Sequence, residues 1–184
     1  MGRNKLLLPF RQTSIIRYIV SEILKAASRL IVVTGRYADE VRSALEGFEG
    51  VEIVENPDWE KGMVGSAQTG IRALRPGEAG FFLHHGDMPF VDAGVFSSLA
   101  FASASRRESG LPELPLVASF GGRAGHPVYF PARLIPEILG LADGERLKSV
   151  IERAGRVLVE TSCPGVLEDI DTQGDYDRLV AEDS

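Results

Sequence analysis

The feature that most constrains this chain is the regular alternation of short apolar runs with segments of helical periodicity. Residues 13–27 carry Ile15, Ile16, Ile19, Ile23 and Leu24 at helical spacing, behind Thr13 and Ser14 as N-cap candidates. Residues 29–33 are rich in β-branched side chains and close on Thr34-Gly35, the signature of a buried strand, and a helix over 38–45 follows. The pattern repeats as strand 51–54, loop 55–65, helix 66–74, strand 80–84 and helix 93–104. Such alternation predicts crossovers between parallel strands, hence an α/β fold with a mostly parallel sheet and helices on both faces.

A polar stretch over 105–112 precedes two strand-like segments, 115–120 and 127–130, joined by Gly121-Gly122-Arg123-Ala124-Gly125. The short glycine-rich link predicts a hairpin, a small antiparallel element inserted in or beside the parallel sheet. Helices over 134–139 and 145–154, strands over 156–160 and 166–170 and a closing helix over 174–181 complete the pattern. A chain of 184 residues without repeats or low-complexity tracts is read as a single domain, 1–184.

Composition narrows the function. With 44% hydrophobic and 25% charged residues the chain is far from the disordered class. A net charge of −6 speaks against a broad nucleic-acid footprint, which needs Lys and Arg to displace counterions, so a small ligand or protein partner is expected. The single cysteine, Cys163, has no partner for an internal disulfide, and no apolar run reaches the roughly 20 residues that span a bilayer. Residues 1–10 lack the length and cleavage site of a signal peptide, so the expected location is cytoplasmic.

Four segments could carry chemistry. His85-Gly86-Asp87-Met88-Pro89 follows the apolar strand Phe81-Phe82-Leu83, which sets Asp87 at the carboxyl end of an expected parallel strand, where ligands gather in open α/β sheets. An acidic side chain beside Gly86 suits an oxygen ligand for Mg²⁺; it equally suits a turn cap. Glu168-Asp169-Ile170-Asp171-Thr172 sets two carboxylates two residues apart, on one face of an extended strand, while Asp171 or Thr172 could instead cap the last helix. The loop from Asn56 through Gly62 and Met63 to Ser66 runs into a helix N-terminus, a place for an anion or polar ligand, or a surface loop that Ser66 caps. Gly2-Arg3-Asn4-Lys5 offers two cations that could neutralise phosphate oxygens or be an exposed basic end. His84, His85 and His126 lack the helical spacing of a zinc site, and there is no Gly-x-Ser-x-Gly elbow, Walker loop or Gly-x-Gly-x-x-Gly fingerprint.

Taken together and in order, Met1-Gly2-Arg3-Asn4-Lys5-Leu6-Leu7-Leu8-Pro9, Asn56-Pro57-Asp58-Trp59 with Gly62-Met63 and Ser66, Gly86-Asp87-Met88-Pro89, Gly125-His126-Pro127-Val128 and Asp169-Ile170-Asp171-Thr172 resemble the MobA-like nucleotidyltransferases. Within that family the chain most resembles the molybdenum cofactor cytidylyltransferase branch. The resemblance implies a Rossmann-like domain that transfers a nucleoside monophosphate, CMP from CTP in this branch, to the phosphate of a molybdopterin-type cofactor, releasing pyrophosphate with Mg²⁺ present. A molybdenum enzyme would be the eventual client.

Carried over by position, the resemblance implies that Lys5 and Arg3 neutralise the triphosphate, with Gly2 beside them. It implies that Asp87 holds Mg²⁺ with Asp169 or Asp171, that Asn56, Gly62, Met63, Ser66 and Gly86 line the nucleotide pocket, and that His126 and Asp143 face the acceptor. The family's usual apolar strand and Leu-Ala-Ala-Gly-type loop, which precede the Met-Gly-x-x-Lys segment, are not found ahead of Met1. The expectation is therefore slowed turnover and unpaired backbone on the two strands that would flank that strand. A GTP-using or sugar-phosphate relative and a non-catalytic cofactor carrier are the competing readings.

Overall fold

The structure, a computed structural model, describes residues 4–182. A 3-10 turn over Lys5–Leu7 leads into a miniature antiparallel hairpin, β1 (Pro9–Phe10) and β2 (Thr13–Ser14), and then α1 (Ile15–Ala26). There follow β3 (Leu30–Thr34), α2 (Ala38–Ala44), β4 (Val51–Glu55), α3 (Met63–Arg72), β5 (Gly80–Leu83) and α4 (Ala93–Glu108). The last third holds β6 (Leu116–Phe120), β7 (Arg123–Pro131), α5 (Ile135–Leu139), α6 (Leu147–Ala154), β8 (Val157–Glu160) and α7 (Gln173–Glu182).

The α/β class stands, with parallel pairs flanked by helices. β3 and β4 form one parallel pair, Leu30 opposite Val51 through Thr34 opposite Glu55. The larger sheet runs β5-β7-β6-β8, in which β6 and β8 are parallel while β7 is antiparallel to both neighbours. The hairpin is thus inserted in the sheet, and β7, at nine residues, is its longest strand. Its link is shorter than the glycine spacing suggests: Gly121 and Gly122, with φ of 57° and 75°, make the turn alone, a region open to glycine without strain. Gly125 serves packing instead, since a Cβ there would lie 1.9 Å from the Val166 carbonyl oxygen.

Alternation along the strands divides the core. Leu116, Ala118 and Tyr129 join Ile15, Ile19 and Ile23 of α1 and Val95, Phe96 and Leu99 of α4 on one face. Val117, Val128 and Phe130 point the other way, onto Val64, Ala67 and Ile71 of α3 and onto Ile138 and Val150. α1 is apolar on two sides: Ile16 and Val20, one position on from the first stripe, meet Val41 and Leu45 over the β3–β4 pair. α3 closes on β3 so tightly that a Cβ at Gly70 would come within 2.9 Å of Val33. Arg29 fastens the two sheets at their base, reaching Glu52 at 2.6 Å, Glu78 at 3.2 Å and the Ala73 carbonyl at 2.7 Å.

Among the described residues β3 pairs only with β4, and β5 only with β7. All of β5 and the first four residues of β3 are accordingly only half-buried. Two local expectations are corrected. Residues 166–170 are not a strand: Pro164–Leu167 is a 3-10 turn, because Gly165 is wedged against Phe90 and Val166 and Ile170, four residues apart, both turn into the core. β5 meets an antiparallel neighbour, so Asp87 follows a strand whose described partner runs the opposite way.

Candidate active site

Two turns at one end of the larger sheet meet around Lys5. The first leaves β5 through His84, His85 and Gly86 to Asp87; the second is the chain around Ile170, whose N–H donates to the Asp87 carbonyl at 2.9 Å. Ile170 is 1% exposed, so this bond is anchored by a side chain locked in the core. Lys5 arrives on the short 3-10 turn, which Asn4 caps by accepting from the Leu6 N–H at 3.1 Å. Leu6 and Leu7 insert into the apolar clusters on either side of α1 and pin the backbone that carries Lys5.

The Lys5 ammonium then donates to Asp87 Oδ2 at 2.8 Å, to the Ile170 carbonyl at 2.8 Å and to Asp171 Oδ1 at 3.1 Å. Partial burial works against its charge, yet the hydrogen bonds and charges of Asp87 and Asp171 outweigh that and hold its pKa above the ordinary lysine value.

The structure separates the alternatives left open for the C-terminal acids. Thr172 takes the cap: its Oγ accepts from the Asp175 N–H at 3.2 Å, and the Asp175 carboxylate accepts from the Thr172 N–H at 2.7 Å, a reciprocal capping box. Asp171 is thereby left to Lys5. Asp169 is exposed and is not among Lys5's partners, since the chain there is not the strand that would have aligned the two carboxylates.

Asn56 and Ser66 also meet. Asn56 is 4% exposed; its Nδ2 donates to Ser66 Oγ at 3.0 Å and its Oδ1 accepts from the Asp58 N–H at 3.1 Å. Ser66 lies one turn inside α3 rather than at its cap, and it keeps its hydroxyl proton for a further acceptor. The cap is Gly62, with φ of 112°, and it offers no side chain to the first N–H groups of α3. Met63, the first helical residue, is 57% exposed beside it. Trp59 holds the loop against the β3 end, where a Cβ on Gly35 would lie 2.5 Å from the Trp59 side chain. A Cβ on Gly86 would lie 3.5 Å from Leu6, at ordinary contact distance.

His126 is brought to the Asp87 turn by the register of β7 on β5, Val128 opposite Leu83, and its ring packs on His85 with centroids 4.1 Å apart. Burial, and then the neighbouring His85, push the His126 pKa down to about 4, so the ring is neutral near pH 7. His84 is likewise lowered to about 4, chiefly by burial, and its Nε2 contacts the Met88 carbonyl at 3.1 Å. His85 was legible as the start of the Asp87 segment and as a failed zinc ligand; its pairing with His126 follows from strand register, which no local motif encodes. Asp143 does not join this group: it is exposed in the loop before α6, and its charge is felt by Lys61. Gly2 and Arg3 lie outside the described residues.

The donor set suits a hard divalent cation. Two carboxylate oxygens and a main-chain carbonyl converge on one point, and magnesium is commonly held by one or two carboxylates with substrate phosphates completing its shell. Among the described residues no three His, Cys, Asp or Glu side chains cluster as a self-sufficient metal cage. No described helix is long and apolar enough to cross a membrane.

The chain is 27% identical to the molybdenum cofactor cytidylyltransferase of Escherichia coli strain K12 over 176 residues, 96% of this chain and 86% of that one. Among solved structures, a nucleotidyl transferase from Methanothermobacter superposes with a TM-score of 0.78 at 26% identity, covering 97% of this chain and 86% of that one. A Mycobacterium tuberculosis H37Rv protein, Rv0371c, solved in complex with manganese, superposes with a TM-score of 0.75 at 25% identity, covering 98% and 94%. Residues 1–157 match the MobA-like NTP transferase domain, and the chain belongs to that family of nucleotidyltransferases.

Proposed function

We propose that this protein transfers a cytidylyl group from CTP to the phosphate of a molybdopterin-type cofactor, releasing pyrophosphate, with Mg²⁺ as the metal. The observation that carries the reading is the convergence of Lys5 with Asp87, Asp171 and the Ile170 carbonyl. The likeness to the Escherichia coli cytidylyltransferase favours CTP and the pterin acceptor, and the manganese complex of the mycobacterial neighbour favours a divalent cation.

In this reading an oxygen of the acceptor phosphate attacks the α-phosphorus of CTP in line, the bond to the bridging oxygen breaks, and pyrophosphate departs with the electron pair. No protein nucleophile takes part, so the chain contributes positioning and charge. Lys5 and Arg3 neutralise the triphosphate as negative charge builds on the leaving group. Asp87 and Asp171 would hold the magnesium ion, which when bound screens the phosphate oxygens from one another. The Asn56–Ser66 pair and the uncapped start of α3 line the nucleotide side, with the Ser66 hydroxyl donating to base or ribose. His126, neutral and braced by His85, faces the acceptor.

The test is pyrophosphate release from each of CTP, GTP, UTP and ATP with molybdopterin and Mg²⁺, with the cytidylylated product identified by mass. CTP should be preferred, and Asp87→Asn should lower turnover by roughly a hundredfold to a thousandfold. Preference for GTP, or cofactor binding with no pyrophosphate from any nucleotide, overturns the assignment.

A further inference from the structure

The geometry points to an exchange at the acidic pair: we propose that the Lys5 ammonium and the divalent cation occupy the same coordination point, so that metal entry displaces Lys5 from Asp87 and Asp171 and frees it for the triphosphate. The idea rests on the metal-dependent reading above but concerns a step before any chemistry. Lys5 donates to Asp87 Oδ2, Asp171 Oδ1 and the Ile170 carbonyl, one carboxylate oxygen from each acid and one main-chain oxygen. An ammonium spends its three protons on three acceptors, and here all three are the oxygens a hard cation would take. The Ile170 carbonyl thereby becomes the third protein ligand of the metal, held in place because the Ile170 N–H is bonded to the Asp87 carbonyl at 2.9 Å.

The two cations cannot share the point. Magnesium sits about 2.1 Å from its oxygens. Oxygens that now lie 2.8 to 3.1 Å from Nζ would therefore contract around it. The ammonium could not stay against a doubly charged ion, because like charges repel strongly in a partly dry site. Lys5 has somewhere to go: its side chain is 29% exposed, on a turn whose backbone is pinned by Leu6 and Leu7 but whose four-carbon stem is free to rotate. A bound triphosphate rewards that movement by supplying new oxygens for the ammonium. Metal and nucleotide should therefore favour each other's binding, with Lys5 as the coupling element.

Manganese binding to the full chain without nucleotide, followed by electron paramagnetic resonance, tests the exchange directly. Lys5→Gln, which removes the competing charge and keeps a polar stem, should bind Mn²⁺ about tenfold more tightly than the parent chain, and Asp171→Asn should bind it more weakly than either. Equal or weaker Mn²⁺ binding by a folded Lys5→Gln overturns the proposal. Should that variant fail to fold, the parent chain still decides: isotope-labelled reductive methylation should find Lys5 shielded without metal and exposed at saturating Mg²⁺, and no change overturns it. A chain that exchanges Lys5 for metal yet releases no pyrophosphate sinks the proposed reaction alone. A chain that turns over CTP while Lys5 ignores the metal sinks the exchange alone.

Discussion

The β3–β4 pair and the β5-β7-β6-β8 sheet are built from similar residues and end up in different environments. Leu30-Ile31-Val32-Val33 of β3 is as apolar as Leu116-Val117-Ala118 of β6, yet the former residues are half-buried and the latter are at most 4% exposed. The difference lies in the neighbours. β6 has a strand on each side and helices above and below; β3 has β4 on one side, with α3 and α1 over its faces. Apolar sequence sets what a strand could bury, and pairing along both edges decides how much it does.

If that account is right, truncations in the two regions should differ most. Phe130→Ala, at 0% exposure and stacked on Phe81 with centroids 5.4 Å apart, should cost about 3–5 kcal/mol of unfolding free energy, whereas Ile31→Ala should cost roughly 1–2 kcal/mol. Urea unfolding of both variants measures it; equal losses would mean that the β3–β4 pair is as tightly packed as the larger sheet.

Acid should reverse the ranking of the two regions. The three histidines lie on the β5 and β7 side, and His84 and His126 are each lowered from 6.5 to about 4, first by burial. Between those values the unfolded chain binds protons that the folded chain refuses, so stability falls as pH drops below about 6.5 and the loss is complete near pH 4. Each ring alone contributes on the order of 3 kcal/mol. Unfolding free energies at pH 7.5 and 4.5, with His84→Phe as the flattened control, check both sign and window. Hydrogen exchange should show the larger sheet loosening first, and uniform loosening would break the contrast.

The smallest effect tests the seam between the regions. Asn56, at the end of β4, joins the pair to α3 through Ser66, and Asn56→Ala should cost about 1–2 kcal/mol and release the 58–62 loop. A change in CTP affinity larger than the change in stability would sharpen its assignment to the nucleotide side.

Much of this was legible beforehand, for reasons that are local. Helical spacing located α1, β-branched runs located β3 and β4, and paired glycines located the hairpin, because each signal acts within a few residues. Lys5, Asp87 and Asp171 stood out as charged residues beside glycine, proline or helix caps. Residues 166–170 misled, since a short apolar run reads as a strand whether or not a partner edge exists; here the lack of space at Gly165 and Gly125 forces a turn.

The linear chain alone therefore determined the order of elements, the α/β class and the residue types from which a phosphate-handling site could be assembled, all consequences of side-chain spacing and turn chemistry. Only the tertiary structure decided that Asp171 and not Asp169 meets Lys5, that His85 braces His126 and that Asp143 lies exposed in the loop before α6. Those outcomes hang on strand register and on which backbone N–H finds which carbonyl across scores of residues, and such choices are made by packing over the whole core.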